Sequence, residues 1–344
     1  MMSLLSENLP ESPLLQRLEK QFSIDTLGAL VPNGGVPRAM WEAALLGPAR
    51  EFLSRPGRQF RGQLVELTWE LCGAVGAPAV ELAQLVEVMH AGSLIIDDVQ
   101  DGSPYRRGKE ALHRLYGVPI AINTGNWLYF WPHEILSQLR LAPLAELELR
   151  RQMARAQLLA HQGQALDLSI KADQVVQHEM MPVARCIARL KTGSLTEFAA
   201  RTGAIAAGAP PEEIAAVADF GREIGIALQQ LDDLGGILSP RMREKGLEDL
   251  RQARATFAWG YAAERLAPTE YLNLTRRLRE LREPAPDALE AISQSLSAVV
   301  SDGAREQVRT NLQAALRPLH ERFGPNAAVL RISREVERLE RGYE

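Results

Sequence analysis

From Val80 to Asp101 the chain runs without proline, and Leu82, Leu85, Val86 and Met89 recur at the spacing of one helical face. Glu87, His90, Leu94, Asp97 and Asp101 step by 3, 4, 3 and 4 and form a second, mostly polar stripe. A helix that is apolar nearly all round is a buried helix, yet this one ends on three aspartates, Asp97, Asp98 and Asp101. Asp97 and Asp101 stack one turn apart, while Asp98 points roughly 100° away from Asp97. Gly102 and Pro104 end the helix and leave Arg106 and Arg107 on the loop beyond it. Crowded carboxylates repel unless a cation sits between them, and adjacent guanidiniums require an anion.

The rest of the sequence is also helical in pattern. Long strand-like alternations are missing, and Ala, Leu, Glu, Arg and Gln dominate. Breaks fall at VPNGGVP (31–37), GAPPEE (208–213) and REPAPDA (282–288), each before a helical pattern. Pro211 with Glu212 and Glu213 is a favourable helix start, with proline in the first turn and acids at the positive end of the dipole. No repeat, low-complexity tract or composition break marks a linker. We therefore expect one all-α domain over 1–344, with a short N-terminal extension of about residues 1–12.

The net charge of -4 leaves no basic excess for nucleic acid, so phosphate recognition should be local. Cys72 and Cys186 have no ligand spacing and read as reduced, buried thiols. The opening MMSLLSENLPESP lacks a basic region followed by an apolar core, which points to a cytoplasmic chain without a secretory signal. The uncharged stretch from Leu115 to Pro132 contains Gly117, Pro119, Asn123, Gly125, Asn126 and Pro132. It reads as a buried helix with its entry turn rather than a transmembrane segment.

Surface acids at a solvated helix end would not follow so apolar a helix. A calcium loop fails as well, because its third and twelfth positions would be Val99 and Gly108. Two stacked carboxylates beside arginines suit Mg²⁺ shared with a diphosphate, since magnesium takes one or two carboxylates plus substrate phosphates and keeps several waters. The arginines would clamp the remaining phosphate oxygens.

A second acidic pair, Asp232 and Asp233, lies in GREIGIALQQLDDLGGILSP and is preceded by Gln229. At this point the sequence resembles the trans-isoprenyl diphosphate synthases, the polyprenyl synthetase family, from about Arg55 to Ala258. The DDxxD motif is matched by Asp97-Asp98-Val99-Gln100-Asp101, followed by Arg106-Arg107-Gly108 and preceded by Glu87 and His90. HQGQALD supplies Gln164 and Asp167, and LKTGSL supplies Lys191 and Thr192. Departures are also present. The second motif ends on Gly236 instead of an acid, Leu228 replaces a phenylalanine, Gly57-Arg58-Gln59-Phe60-Arg61 has arginine for lysine, Lys245 precedes Asp249 by one residue fewer, and the late Gly-Lys is Ala253-Arg254.

The resemblance implies a helical bundle of the isoprenoid synthase type around a central apolar cavity. It implies up to three Mg²⁺ on Asp97, Asp101 and Asp232, with Gly236 removing a water-mediated contact to the third. Arg106, Lys191, Thr192, Gln229 and Lys245 would hold an allylic diphosphate, and Arg58, Arg61, His90 and Arg107 isopentenyl diphosphate. Below Asp97, Ser93 and Gly92 would leave a tunnel open and Met89 would form its floor, giving a product longer than farnesyl diphosphate, most simply geranylgeranyl diphosphate. A homodimer is the family expectation. A terpene cyclase of the same fold and a non-catalytic partner subunit are the alternatives; the aromatic residues Trp127, Tyr129, Phe130 and Trp131 read as core or dimer packing, or else as rings of a cyclase pocket.

Overall fold

Proline sets many of the helix starts, because its fixed φ suits the first turn and its missing N–H has no partner to lose there. The structure is a computed structural model that describes residues 12–23, 26, 35–57, 59–281 and 286–342. Its contacts divide it into two units. The first takes in the residues up to Gln63 together with Ala79–Arg140. It holds α1 (Pro13–Gln21), α2 (Gly47–Leu53), the first turn of α3 (Phe60–Leu71), α4 (Val80–Asp101), α5 (Leu112–Tyr116) and α6 (Val118–Ser137). Between α4 and α5 lies a two-residue hairpin, β1 (Tyr105–Arg106) with β2 (Lys109–Glu110).

α4 has the bounds that the sequence predicts, and it closes on Gly102 in the left-handed region at φ 69°. Leu82, Leu85, Val86, Met89 and Ile95 are buried along it. It packs closely on α6. A Cβ on Gly92 would stand 2.8 Å from the Gly125 carbonyl oxygen, and one on Gly125 would stand 2.8 Å from Ile96 Cδ1. The segment after α4 is a hairpin and not a plain loop. Arg107 and Gly108 have φ of 52° and 76°, the paired positive values that a type I′ turn needs.

α6 differs from the fully buried helix expected. Trp131 is buried and stacks on Trp127 at 4.8 Å, and Trp127 meets Phe22 at 5.7 Å. Phe130, however, is 70% exposed, and Val118 and Ile122 are exposed as well. The exposed side of α6 mixes Asn123, Asn126 and Glu134 with these apolar residues, so polarity alone does not mark it.

The second unit takes Leu64–Pro78 and Leu141–Glu344. It contains α7 (Pro143–Ser169), α8 (Met180–Ala188), a π turn at Arg189–Gly193, α9 (Ser194–Ala206) and α10 (Pro211–Leu238). α11 (Arg243–Arg251), α12 (Phe257–Arg265), α13 (Pro268–Glu280), α14 (Pro286–Phe323) and α15 (Ala327–Arg341) follow. α10 starts at Pro211 with Glu212 and Glu213 in its first turn, as the sequence predicts. It is buried from Val217 to Gly236 on most positions and lies nearly backbone to backbone with α9. A Cβ on Gly225 would overlap Thr196 Oγ1 at 1.9 Å. Trp259, Tyr271, Leu274, Leu289 and Ile292 form an apolar core around α12, α13 and α14.

No helix among the described residues is long and apolar enough to cross a membrane. Both cysteines are free thiols. Cys72 is partly buried, which pushes its thiol up to about 12, whereas Cys186 is exposed, contrary to the buried reading.

Between α11 and α12, Ala253 packs at the edge of the apolar core and its carbonyl accepts the Ala172 N–H at 2.8 Å from a backbone with φ 53°. This is where the family pattern has glycine. A left-handed L-residue costs about 1–2 kcal/mol, and the extra unfolded-state freedom of glycine offsets about 0.4–1 kcal/mol. Ala253→Gly should therefore stabilise the fold by about 0.5–1 kcal/mol, read as a raised urea midpoint with an unchanged m-value.

Candidate active site

In the first unit the end of α4 sorts its three aspartates. Asp98 is completely buried, and Arg106 Nε donates to its Oδ1 at 2.7 Å. Its other oxygen, Oδ2, is buried without a hydrogen-bond partner. Burial pushes the Asp98 carboxyl up to about 6, against the pull of Arg106. Asp97 and Asp101 are only partly buried, and Arg106 Nη2 stands 3.7 Å from Asp97 Oδ2. The guanidinium is thus fixed by one aspartate beside the carboxylate of the next.

The hairpin that carries Arg106 and Arg107 is anchored from the residues just after α2. Arg55, with a fully buried side chain, donates to the carbonyls of Arg106 at 3.0 Å and Glu110 at 2.7 Å, and its Nε pairs with Glu51 at 3.0 Å. Arg107 lies against Gly57, 3.0 Å from where a Cβ on that glycine would be, and over the Phe52 ring at 5.8 Å. Burial, with Arg106 and Arg55 nearby, lowers the Arg107 pKa. Burial first, and then Arg61, Arg107 and Arg106, hold His90 well below the ordinary imidazole value. Glu87 Oε1 accepts from the Gly62 N–H at 2.8 Å, which fixes the start of α3 beside α4. The structure thus brings His90, Arg61, Arg106 and Arg107 into one electropositive neighbourhood. Arg58 lies outside the described residues.

Of the chain-length positions, Met89 is 2% exposed and Ser93 is partly buried, its Oγ donating to the His90 carbonyl at 2.8 Å. Gly92 differs from its expected role. The space a side chain would take there is filled by the α6 backbone at Gly125, so its small size serves the helix crossing and opens no tunnel.

In the second unit, Lys191 and Thr192 ride on the π turn, a local widening often found at functional sites. Gly163 of α7 lets this turn approach, since a Cβ there would stand 2.4 Å from the Lys191 nitrogen. Lys191 Nζ donates to Asp167 Oδ2 at 2.7 Å, and Arg254 Nη1 stands 3.6 Å from the same oxygen. Thr192 Oγ1 donates to Gln229 Oε1 at 2.6 Å, and Gln229 Nε2 donates to Asp233 Oδ1 at 2.9 Å. Asp233 Oδ2 in turn accepts from the Phe257 N–H at 2.8 Å, at the start of α12. Burial raises Asp233 to about 7. Its neighbour Asp232 instead meets Lys245.

The donor chemistry fits Mg²⁺. Asp97, Asp101 and Asp232 offer hard oxygen ligands that are not enclosed, so room remains for water and phosphate. Among the described residues no cluster of three or more His, Cys, Asp or Glu forms a complete protein cage. The sequence reading missed Asp98 as the holder of Arg106 and Arg55 as the anchor of the hairpin. The i,i+4 spacing of Glu51 and Arg55 was the one available signal for the latter.

Residues 42–296 match the polyprenyl synthetase family. A geranylgeranyl pyrophosphate synthase of Eremothecium gossypii is 29% identical over 66% of this chain and 71% of its own. A geranylfarnesyl diphosphate synthase of Aeropyrum pernix is 30% identical over 67% and 74%. The crystal structure of geranylgeranyl pyrophosphate synthase from Corynebacterium glutamicum, complexed with isoprenyl diphosphate and magnesium, shares the all-α fold at a TM-score of 0.76, with 21% identity over 96% of each chain. With the family match covering most of its length, the chain belongs to the polyprenyl synthetases, the trans-isoprenyl diphosphate synthase family.

Proposed function

We propose that this enzyme, a trans-prenyltransferase, joins isopentenyl diphosphate to an allylic diphosphate head to tail and releases geranylgeranyl diphosphate. The observation that carries the reading is the end of α4, where two open carboxylates share a face and a guanidinium pinned by buried Asp98 stands beside them. The names of the relatives from E. gossypii and A. pernix support elongation of a prenyl chain.

Asp97 and Asp101 in one segment and Asp232 in the other would hold up to three Mg²⁺, which when bound neutralise the diphosphate and make it a better leaving group. Arg106 donates to that diphosphate from a position that Asp98 has already fixed, so little reorganisation is needed as charge develops on the leaving oxygen. Lys191 and Lys245, each matched to a carboxylate, add two more cations. Gln229 is oriented by Thr192 and Asp233. The allylic C–O bond breaks, the isopentenyl double bond attacks the carbon that bore it, and a proton passes to the departing diphosphate. Arg61, Arg107, His90 and, by resemblance, Arg58 hold the second diphosphate. Burial first, and then the cations around it, keep His90 neutral at pH 7, so it serves as a hydrogen-bond donor and not as a charge. The reaction requires an apolar lining that excludes water, because water would quench the carbocation.

We read the whole of 1–344 as one isoprenoid synthase domain acting in the cytoplasm. Exposed Val118, Ile122 and Phe130 on α6 support a homodimer.

With Mg²⁺, farnesyl diphosphate and labelled isopentenyl diphosphate, the purified protein should yield a labelled, longer diphosphate. Asp97→Asn and Asp232→Asn should each lower turnover on the order of 10²–10³-fold. Hydrocarbon formed from farnesyl diphosphate alone, or no turnover, would sink the proposal. Met89→Ala should lengthen the product on chromatography, at a stability loss of about 2–5 kcal/mol for the emptied site; unchanged length would remove Met89 as the floor. In an NMR titration the His90 ring should remain neutral through the ordinary histidine pKa of about 6.5. Its folded-state pKa is lowered, so its contribution to stability is present above that value and is lost as the pH falls.

A further inference from the structure

The inner and outer sides of α7 differ in an unusual way. Leu149, Met153, Ala156 and Gly163 are buried on the inner side. The outer side holds three large apolar residues in water: Leu144 is 81% exposed, Leu147 45% and Leu158 66%. Arg151, Ala154 and Arg155 are exposed between them. Steps of 3, 4, 3 and 4 from Leu144 to Leu158 keep the set on one stripe, about 21 Å long at the helical rise per residue. No acid of α7 is exposed. Glu146 accepts from Arg150 at 2.9 Å, Glu148 from Gln152 at 2.6 Å and Asp167 from Lys191 at 2.7 Å. Arg151 and Arg155, by contrast, stand in no ion pair among the described residues. A chain of net charge -4 thus shows, along one helix, a stripe that is both cationic and rich in leucine.

We propose that this stripe is a docking surface for an anionic lipid membrane, with α7 lying in the headgroup layer along the plane of the bilayer. The leucines enter the apolar boundary, the arginine stems follow them, and the guanidiniums take lipid phosphates in pairs of hydrogen bonds. The pattern separates a bilayer from other occupants. A nucleic acid offers phosphates but no apolar layer for the leucines. A two-fold contact between two copies centred on the stripe would set Arg151 and Arg155 against the same residues of the second copy, and like charges disfavour such an interface. Anionic headgroups above acyl chains match the charge and the leucines together. The helix lies on the membrane and does not cross it, since none among the described residues is long and apolar enough to do so. Docking is inferred from the surface alone. Its use rests on the prenyltransferase reading above: a diphosphate on a long apolar tail is an amphiphile that leaves water for the same layer.

Flotation of the full chain with vesicles, without substrate, tests this. The chain should bind vesicles of equal parts phosphatidylglycerol and phosphatidylcholine, bind phosphatidylcholine alone far more weakly, and lose binding as salt is raised. Arg151→Gln with Arg155→Gln should weaken binding by about tenfold or more, at about fivefold for each charge. Leu144→Gln with Leu158→Gln should weaken it by about tenfold or more through lost apolar contact. Both double variants should keep the parental thermal midpoint, because all four side chains are in solvent. No binding by the parent, equal binding to the two kinds of vesicle, or parental binding in either double variant would overturn the docking. So would sedimentation showing that a double variant splits a dimer of the parent, which would assign the stripe to a second copy. A parent that binds vesicles but makes no prenyl diphosphate upholds the docking and removes only the reading of the reaction.

Discussion

An ionised carboxylate in an apolar helical frame persists only against a fixed donor, because removal from water disfavours the charged form. Adjacent aspartates on a helix point about 100° apart, so they cannot share one environment. In the first segment Asp98 turns inward to Arg106 and leaves Asp97 on the open face with Asp101. In the second, Asp233 turns inward to Gln229 and the start of α12, and leaves Asp232 to Lys245. Each pair therefore contains one residue that builds the protein and one that is available for chemistry. The inward residues are raised in pKa by burial and held by named donors.

Much of this was legible in the sequence, for identifiable reasons. The bounds of α4 followed from apolar spacing and a glycine stop, and the start of α10 from Pro211 and its acids. The stacking of Asp97 with Asp101 followed from helical geometry alone. What escaped depended on which side of a residue meets a neighbour. Gly92 was read correctly as small, but spacing could not say that α6 fills the space beside it. The hairpin at 105–110 was too short to show alternation, and its turn depends on a left-handed arginine, which is an uncommon conformation for that residue. The exposed side of α6 carries Phe130, Val118 and Ile122 beside its polar residues, so polarity did not mark it.

Close approach of helix backbones recurs through both units, at Gly92 with Gly125, at Gly225 with Thr196 and at Gly236 with Gly246. Packed interiors deform little, so a helix seated on a glycine transmits its position along its whole length. In this way a small residue some distance from any phosphate determines where a lysine or an aspartate stands. The departures from the family pattern at 236 and 253 belong to this backbone geometry as much as to charge.

The hairpin has a consequence of a different kind. Two paired residues per strand cannot sustain themselves in water, and this turn is tied down by the buried guanidinium of Arg55 on its carbonyls. The fidelity of Arg106 and Arg107 is therefore borrowed from a side chain that faces away from solvent. In a saturation scan scored by growth or turnover, Arg55 would group with Arg106 and Arg107, whose hairpin it fixes, and conservative replacement by lysine would fail there because one ammonium cannot span both carbonyls and Glu51 in the same plane.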